Sequence, residues 1–234
     1  MASRRDWWRL VVGLIVFSAA FGYLEAAVVV YLRALYAPVR MHFYPSISAT
    51  DLFPLITTEQ LSSLGEQHAL RLRTELGREA ATIAMLAGVA IVAARNLREW
   101  VAAFVFCFGI WDIVFYLSLE LLLNWPRSIL AWDILFLLPV PWVGPVLAPV
   151  LISISMVAAG FTVLWREYRG RPLSITRLRW AAILAGGAIV VLAFVWDFRN
   201  TIHGGNPNPF NWALFFTGEL FGLLAFAGAL RSTR

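Results

Sequence analysis

The sequence predicts an all-α polytopic transmembrane bundle with six spans plus one proline-broken segment, which either re-enters the membrane or makes a short seventh span. Of the 234 residues, 60% are hydrophobic and 14% are charged, and the mean hydropathy is +0.73. A soluble domain usually carries about 25% charged residues. Several apolar stretches also reach the roughly 20 residues that a helix needs to cross the hydrocarbon core. We therefore treat residues 1–234 as a single integral membrane domain.

Six apolar stretches define the predicted spans. The second is short, and we expect its helix to begin earlier, in an amphipathic segment capped by Thr58. A polar excursion at about 33–77 separates the first two spans and is expected to lie outside the membrane. The spans are Trp8–Tyr31, Ala80–Ala94, Trp100–Leu123, Val146–Trp165, Trp180–Trp196 and Phe210–Leu230.

The segment Ile129–Pro145 does not fit a straight span. It contains Pro139, Pro141 and Pro145, and proline removes a backbone donor and clashes with the preceding helical turn. We expect a half-helix that enters the membrane and returns. Such broken backbone is tolerated at membrane depth only where protein or a water-filled cavity surrounds it.

Arginine placement favours cytoplasmic termini in a bacterial plasma membrane. Six spans with both termini inside put twelve arginines on the inner face and seven on the outer face, as the positive-inside rule requires. Seven spans with the N-terminus outside score similarly, thirteen against six, so charge leaves that alternative open. The density of prolines argues against the seventh span.

Composition excludes several chemistries. All 19 basic residues are arginine, which rules out Schiff-base lysines and a Walker-type phosphate lysine. The arginines form no basic aromatic face, so the pI of about 10.0 indicates attraction to anionic membrane lipids, and no nucleic-acid partner is expected. Cys107 is the single cysteine, which excludes an internal disulfide and a C-x-x-C pair. Cofactor, metal and oligomeric state stay open.

Acidic residues within or beside the apolar stretches indicate where the function lies. A charge at bilayer depth costs a few kcal/mol or more, so it usually faces a cavity or a partner. With a rise of about 1.5 Å per residue, most of these carboxylates fall in the outer half of the membrane. They are Glu25, Asp112, Asp133, Asp197 and Glu219.

A short echo singles out two of these acids. Trp111-Asp112-Ile113 recurs 21 residues later as Trp132-Asp133-Ile134. Two carboxylates that faced each other would hold one proton or a cation between them. We therefore predict that Asp112 and Asp133 form the centre of a site.

The favoured function is a membrane-embedded enzyme whose acidic site opens to the outer leaflet and acts on a lipid or isoprenoid substrate. Asp112 and Asp133 would be the catalytic pair and Glu25 the supporting acid, with a cation to neutralise an anionic head group. The residues expected to bind substrate are Arg78, Arg127, Glu79, Glu219, Trp111 and Trp132.

Two alternatives stay open. A proton- or cation-coupled transporter or channel subunit would use the same acids as a relay and needs a polar path through the cytoplasmic half. A non-catalytic membrane assembly subunit would instead pair each acid with an arginine or a backbone donor. Such pairs include Glu25 with Arg33 or Arg78, and Asp197 with Arg199.

Overall fold

The computed structural model describes residues 4–47 and 51–232. Within these ranges, six helices are long and apolar enough to cross a membrane, which confirms the all-α polytopic bundle. The chain is a multi-pass membrane protein. Its helices are α1 (Arg4–Phe43), α2 (Thr58–Ser63), α3 (Glu66–Ala93), α4 (Leu97–Leu123), α5 (Leu147–Tyr168), α6 (Arg177–Val195), α7 (Phe198–Ile202) and α8 (Trp212–Ser232).

Helix α1 is longer than the apolar run that predicts it. It continues past Tyr31 to Phe43 and contains Pro38. The apolar run ends where arginines begin, but Leu, Ala and Arg are good helix formers in any solvent, so the helix continues although hydropathy falls. Arg33 and Arg40 consequently share a helix with Glu25. The extramembrane position expected for about 33–77 stays a prediction.

The predicted continuous helix from Thr58 into the second span is interrupted. Thr57, one residue earlier, caps α2 in a capping box with Gln60, whose backbone N–H donates to the Thr57 hydroxyl over 3.2 Å. The chain then turns at Gly65, where φ is +101°, a conformation that side chains disfavour. Helix α3 therefore begins afresh at Glu66.

The expected re-entrant half-helix is wrong, because this segment forms a β-hairpin. Strands β1 (Trp132–Phe136) and β2 (Trp142–Pro145) pair antiparallel, with Asp133 opposite Gly144. The prolines that exclude a helix also fall in the turn and at the end of β2, where no ladder donor is required. Aromatic and β-branched residues of the segment favour strands.

Helix α4 lies at the centre of the bundle and packs mainly against α1 and α5, whereas α6 packs mainly against α8. The second pair approaches closely, since a Cβ on Gly186 would lie 2.7 Å from the carbonyl oxygen of Gly218. Small residues allow such contact between membrane helices. The hairpin meets α6 where a Cβ on Gly144 would lie 2.9 Å from the ring of Phe194.

The two ends of the bundle differ in their filling. The end that holds the α3–α4 connection has an apolar core that includes Trp7, Val11, Leu86, Phe106 and Cys107. The opposite end, where α1 and α4 end and α3 and α5 begin, holds the hairpin. We call this the hairpin end.

We expect Gly186→Ala to separate α6 from α8 and to destabilise the protein by about 1–3 kcal/mol, the usual cost of overpacking. The measurement is the thermal unfolding midpoint in detergent. Gly187→Ala is the matched control, because a Cβ on Gly187 meets nothing within 4 Å. Equal midpoints for the two variants would contradict the close contact.

Candidate functional site

A cavity of about 330 Å³ lies at the hairpin end. Helix α1, the chain from Asp51 to Leu61, helix α3 and strand β1 form its wall. Most of the lining side chains are apolar, so the cavity suits a ligand with an apolar part. We call it the carboxylate cavity. Its charged lining residues are Glu25, Arg33, Arg40, Asp51, Glu75, Arg78, Glu79 and Asp133.

Arg78 connects two acids of the wall. Its guanidinium pairs with Glu25 on α1 and with Glu75 one turn earlier on α3, and its Nε donates to Glu75 Oε1 over 2.9 Å. The Thr82 hydroxyl lies 3.5 Å from Glu25. The expected pairing of Glu25 with Arg78 is therefore present. This ion pair connects α1 to α3. It also engages Arg78, which the sequence predicts to bind an anionic head group.

Glu79 fixes the hairpin to α3. Its two carboxylate oxygens accept the backbone N–H groups of Leu137 and Leu138 over 2.7 and 3.0 Å. Both groups follow β1 and precede Pro139, so neither has a ladder partner in the hairpin. Backbone donors without a ladder partner are usually paired with another acceptor, and Glu79 supplies it. Its observed contacts position the hairpin; its expected role in binding substrate stays a prediction.

Asp133 is buried in the cavity wall and its partner is a neutral hydroxyl. The Tyr116 hydroxyl donates to Asp133 Oδ2 over 2.9 Å. Burial raises the pKa of the Asp133 carboxyl from its ordinary value to about 6, while the hydrogen bond from Tyr116 and the charge of Arg33 act in the opposite direction. This acid can therefore gain and lose a proton near neutral pH.

Asp112 lies beside this group but in a separate, smaller space. It accepts a hydrogen bond from the Ser153 hydroxyl over 2.8 Å and lines a cavity of about 30 Å³ together with Glu25, Trp111 and Tyr116. Tyr116 follows Asp112 by four residues, which places both on one face of α4. The predicted pair of aspartates thus shares a neighbourhood, with Tyr116 bonded to Asp133 rather than the two acids bonded to each other.

Three of the expected substrate-binding residues line neither cavity. They are Arg127, Trp132 and Glu219. The ring of Trp132 packs against Phe53 and Phe210, with centroids 6.5 and 6.4 Å apart. Glu219 belongs to α8 and hydrogen bonds with Ser155 of α5. Depth in the membrane is therefore not enough to bring an acid into the site.

The pairing of Asp197 with Arg199 is replaced by amide contacts. Asp197 accepts hydrogen bonds from the side chains of Asn200 and Asn208, over 3.0 and 2.8 Å, and from the Asn208 backbone over 2.8 Å. These bonds close the connection between α6 and α8 around one carboxylate. Asp197 is thus a structural acid.

Sequence reasoning missed Tyr116 and Arg40. A signal for Tyr116 is present, because it lies one helical turn after Asp112. Arg40 follows Arg33 by seven residues, which is two turns of a helix, but this pattern has meaning only once α1 is known to reach Phe43. Among the residues that the structure describes, no group of three or more His, Cys, Asp or Glu could hold a metal ion.

The fold and site define a multi-pass helical membrane protein with an acid-lined cavity at one end of the bundle. No family model, no curated protein and no solved structure matches the chain. The activity has to be argued from the geometry of the cavity.

We expect Glu79→Ala to loosen the hairpin, because it removes two hydrogen bonds to a charged acceptor, each worth about 1.5–3 kcal/mol. The measurement is hydrogen–deuterium exchange of the peptide that contains Leu137 and Leu138, which should exchange faster. Glu66→Ala, at an exposed position of the same helix, should leave this exchange unchanged. Unaltered protection in Glu79→Ala would contradict the assigned contact.

We expect the carbonyl stretch of a protonated carboxylic acid to disappear as the pH rises through about 6, because the pKa of Asp133 is raised to that value. Below this pH the acid carries its proton, and above it the acid is ionised. The measurement is a pH titration by infrared difference spectroscopy, with Asp133→Asn as the reference spectrum. Persistence in Asp133→Asn of the band component that titrates at about pH 6 would assign this proton to another group.

Proposed function

We propose that the protein is a membrane-embedded enzyme that acts on a lipid or isoprenoid substrate by acid–base chemistry, with Asp133 as the group that exchanges the proton. One observation carries the proposal: a buried carboxyl, hydrogen-bonded only to a neutral hydroxyl among its described side-chain partners, lines a largely apolar cavity. An acid in this setting can donate a proton to an apolar substrate near neutral pH.

The surrounding residues have separate roles in this proposal. Tyr116 positions the Asp133 carboxyl through its hydrogen bond. Asp112, which lies one turn before Tyr116 on α4, is a supporting acid. The Glu25–Arg78 ion pair forms part of the cavity wall. The proposed reaction centre is therefore Asp133 with Tyr116, whereas the sequence alone predicts the pair of Asp112 and Asp133.

The packing favours an enzyme over the two alternatives. A transporter needs a polar path through the other end of the bundle, where the described core consists of Trp7, Val11, Leu86, Phe106 and their neighbours. An assembly subunit needs every acid neutralised by a cation or by backbone donors. Glu25 has the cation Arg78 and Glu79 has two backbone donors. Asp133 has the Tyr116 hydroxyl and the single backbone donor of Ile134, and it forms no ion pair among the residues that the structure describes. The arginine distribution supports cytoplasmic termini, and the cavity would then face the outer leaflet.

We expect Asp133→Asn to lower product formation by about 100-fold or more, the usual contribution of a general acid or base. The measurement compares membrane lipids of cells that lack the gene with cells complemented by wild type or variant, using untargeted mass spectrometry. Glu219→Gln is the matched control, since it also alters a buried acid of the bundle but one that does not line the cavity.

Two outcomes would contradict this proposal. One is a lipid profile in Asp133→Asn identical to that of wild type. The other is proton flux through wild-type protein in liposomes that Asp133→Asn abolishes, which would favour the transporter instead.

A further inference from the structure

The guanidinium of Arg33 lines the carboxylate cavity with an unused donor. Its Cζ lies 4.1 Å from the centre of the Trp125 ring, and its buried Nε has no hydrogen-bond partner among the residues that the structure describes. Stacking on an aromatic face fixes the plane of a guanidinium while leaving the N–H groups at its edge available. Arg33 is therefore held in place but not satisfied.

Arg40 is in the same state two turns further along α1. Its Nη1 donates to the carbonyl oxygens of Leu52 and Pro54, whereas its Nη2 is buried without a partner within residues 4–47 and 51–232. Seven helical residues advance the chain by about 10 Å and return to nearly the same face. Two arginines that line one cavity thus each have a buried donor that the described residues leave unmatched.

The acids of the wall do not meet this demand. Glu25 and Glu75 are paired with Arg78, Glu79 holds the hairpin N–H groups, and Asp133 accepts from Tyr116. The charges of Asp133 and Asp51 attract Arg33 and Arg40 respectively, but the described residues form no ion pair between them. Asp51 is exposed to solvent, so the buried unmatched atoms among the described lining residues are donors on these two cations, and the missing partner is an anion.

We infer that Arg33 and Arg40 bind the phosphoryl group of an amphiphilic ligand whose apolar part lies in the carboxylate cavity. The inference rests on the proposed function, in which the cavity takes a lipid or isoprenoid. Phosphate oxygens accept two parallel N–H groups from a guanidinium, a bidentate geometry that the ammonium of lysine does not offer. Apolar residues between the two arginines and the acids, Val29, Leu32 and Leu135 among them, suit the first carbons of the chain.

The layout along α1 orients this ligand. Glu25 and Arg40 are fifteen residues apart, or about 22 Å along the helix. The phosphoryl group would lie at the arginine end, and the chain would point toward Asp133 and Glu25. A volume of about 330 Å³ is at the lower end of ligand pockets, so it encloses the head group and its neighbouring carbons. Arg78 and Arg127, the counter-charges expected from the sequence, are replaced by Arg33 and Arg40.

The test measures binding of three probes to the full-length protein in nanodiscs of uncharged lipid: decyl phosphate, decanol and inorganic phosphate. We expect wild type to bind decyl phosphate at least about ten-fold more tightly than either other probe, because it alone has both parts. Arg33→Gln and Arg40→Gln should each reduce this preference by about ten-fold. Arg73→Gln is the control for lost positive charge, since Arg73 is exposed on α3 and does not line the cavity.

Three results of this test would overturn the inference or part of it. Equal affinity for decyl phosphate and decanol in wild type, or an unchanged preference in both Gln variants, would overturn the inference. Equal affinity for inorganic phosphate and decyl phosphate would show a site for free phosphate and would overturn the inference that the ligand is amphiphilic. If the Gln variants do not fold, Arg33→Lys and Arg40→Lys carry the test: they keep the charge but lose the fork, and an unchanged preference in them would also overturn it.

Asp133→Asn distinguishes this inference from the proposed function. It removes the proton-exchanging group and leaves both arginines in place, so it should bind decyl phosphate in preference to decanol at least as strongly as wild type does. A normal lipid profile in Asp133→Asn would refute the enzyme while the phosphate preference stands. Equal wild-type affinity for decyl phosphate and decanol, together with an altered lipid profile in Asp133→Asn, would refute the anion site while the enzyme stands.

Discussion

The arrangement of the cavity depends on two backbone N–H groups that have no partner within the hairpin. After β1, the chain cannot continue as a helix because prolines follow, and the N–H groups of Leu137 and Leu138 lack ladder partners. An ionised carboxylate is a strong acceptor for such groups. Glu79 provides both bonds, and this attachment to α3 holds β1 with Asp133 beside Tyr116.

The acids of the hairpin end are stabilised in three different ways, and these differences separate their roles. Glu25 has a cation, Glu79 has backbone donors, and Asp133 has a hydroxyl. A carboxylate held by a cation or by backbone donors has a structural partner, whereas a buried carboxyl with a neutral partner can be neutral or charged at little difference in free energy. The same distinction applies to the cations: Arg78 is engaged by two acids, and Arg33 and Arg40 are not.

The sequence is sufficient to predict the number of spans, since span length and hydropathy are local properties. The last four predicted spans agree with the helices to within a few residues. The hairpin is not predictable in the same way: proline chemistry excludes a helix over Ile129–Pro145 but does not select a strand, which depends on the partner strand and on Glu79. Helix α1 is longer than predicted because hydropathy indicates whether a segment is surrounded by lipid or by water. It does not indicate where the helix ends.

The site is predictable in part for a similar reason. Depth can be counted from the sequence, so Glu25, Asp112 and Asp133 fall in one layer, but the direction in which a side chain points depends on which helices are neighbours. Glu219 has a suitable depth, yet Gly218 brings α8 against α6 and leaves this acid outside the cavity. The unmatched donor of Arg40 depends on where the carbonyls of Leu52 and Pro54 lie, which no local pattern determines.

The contact of Gly144 with Phe194 has a mechanical consequence. Gly144 is the residue opposite Asp133 in the hairpin, and its lack of a side chain lets the ring of α6 press directly on that backbone. The α6–α8 pair contributes no lining residue to either described cavity. A tilt of this pair, as in a bilayer of different thickness, would nevertheless push β2 and move the strand that carries the acid, so that membrane thickness and the geometry around Asp133 are linked through one glycine.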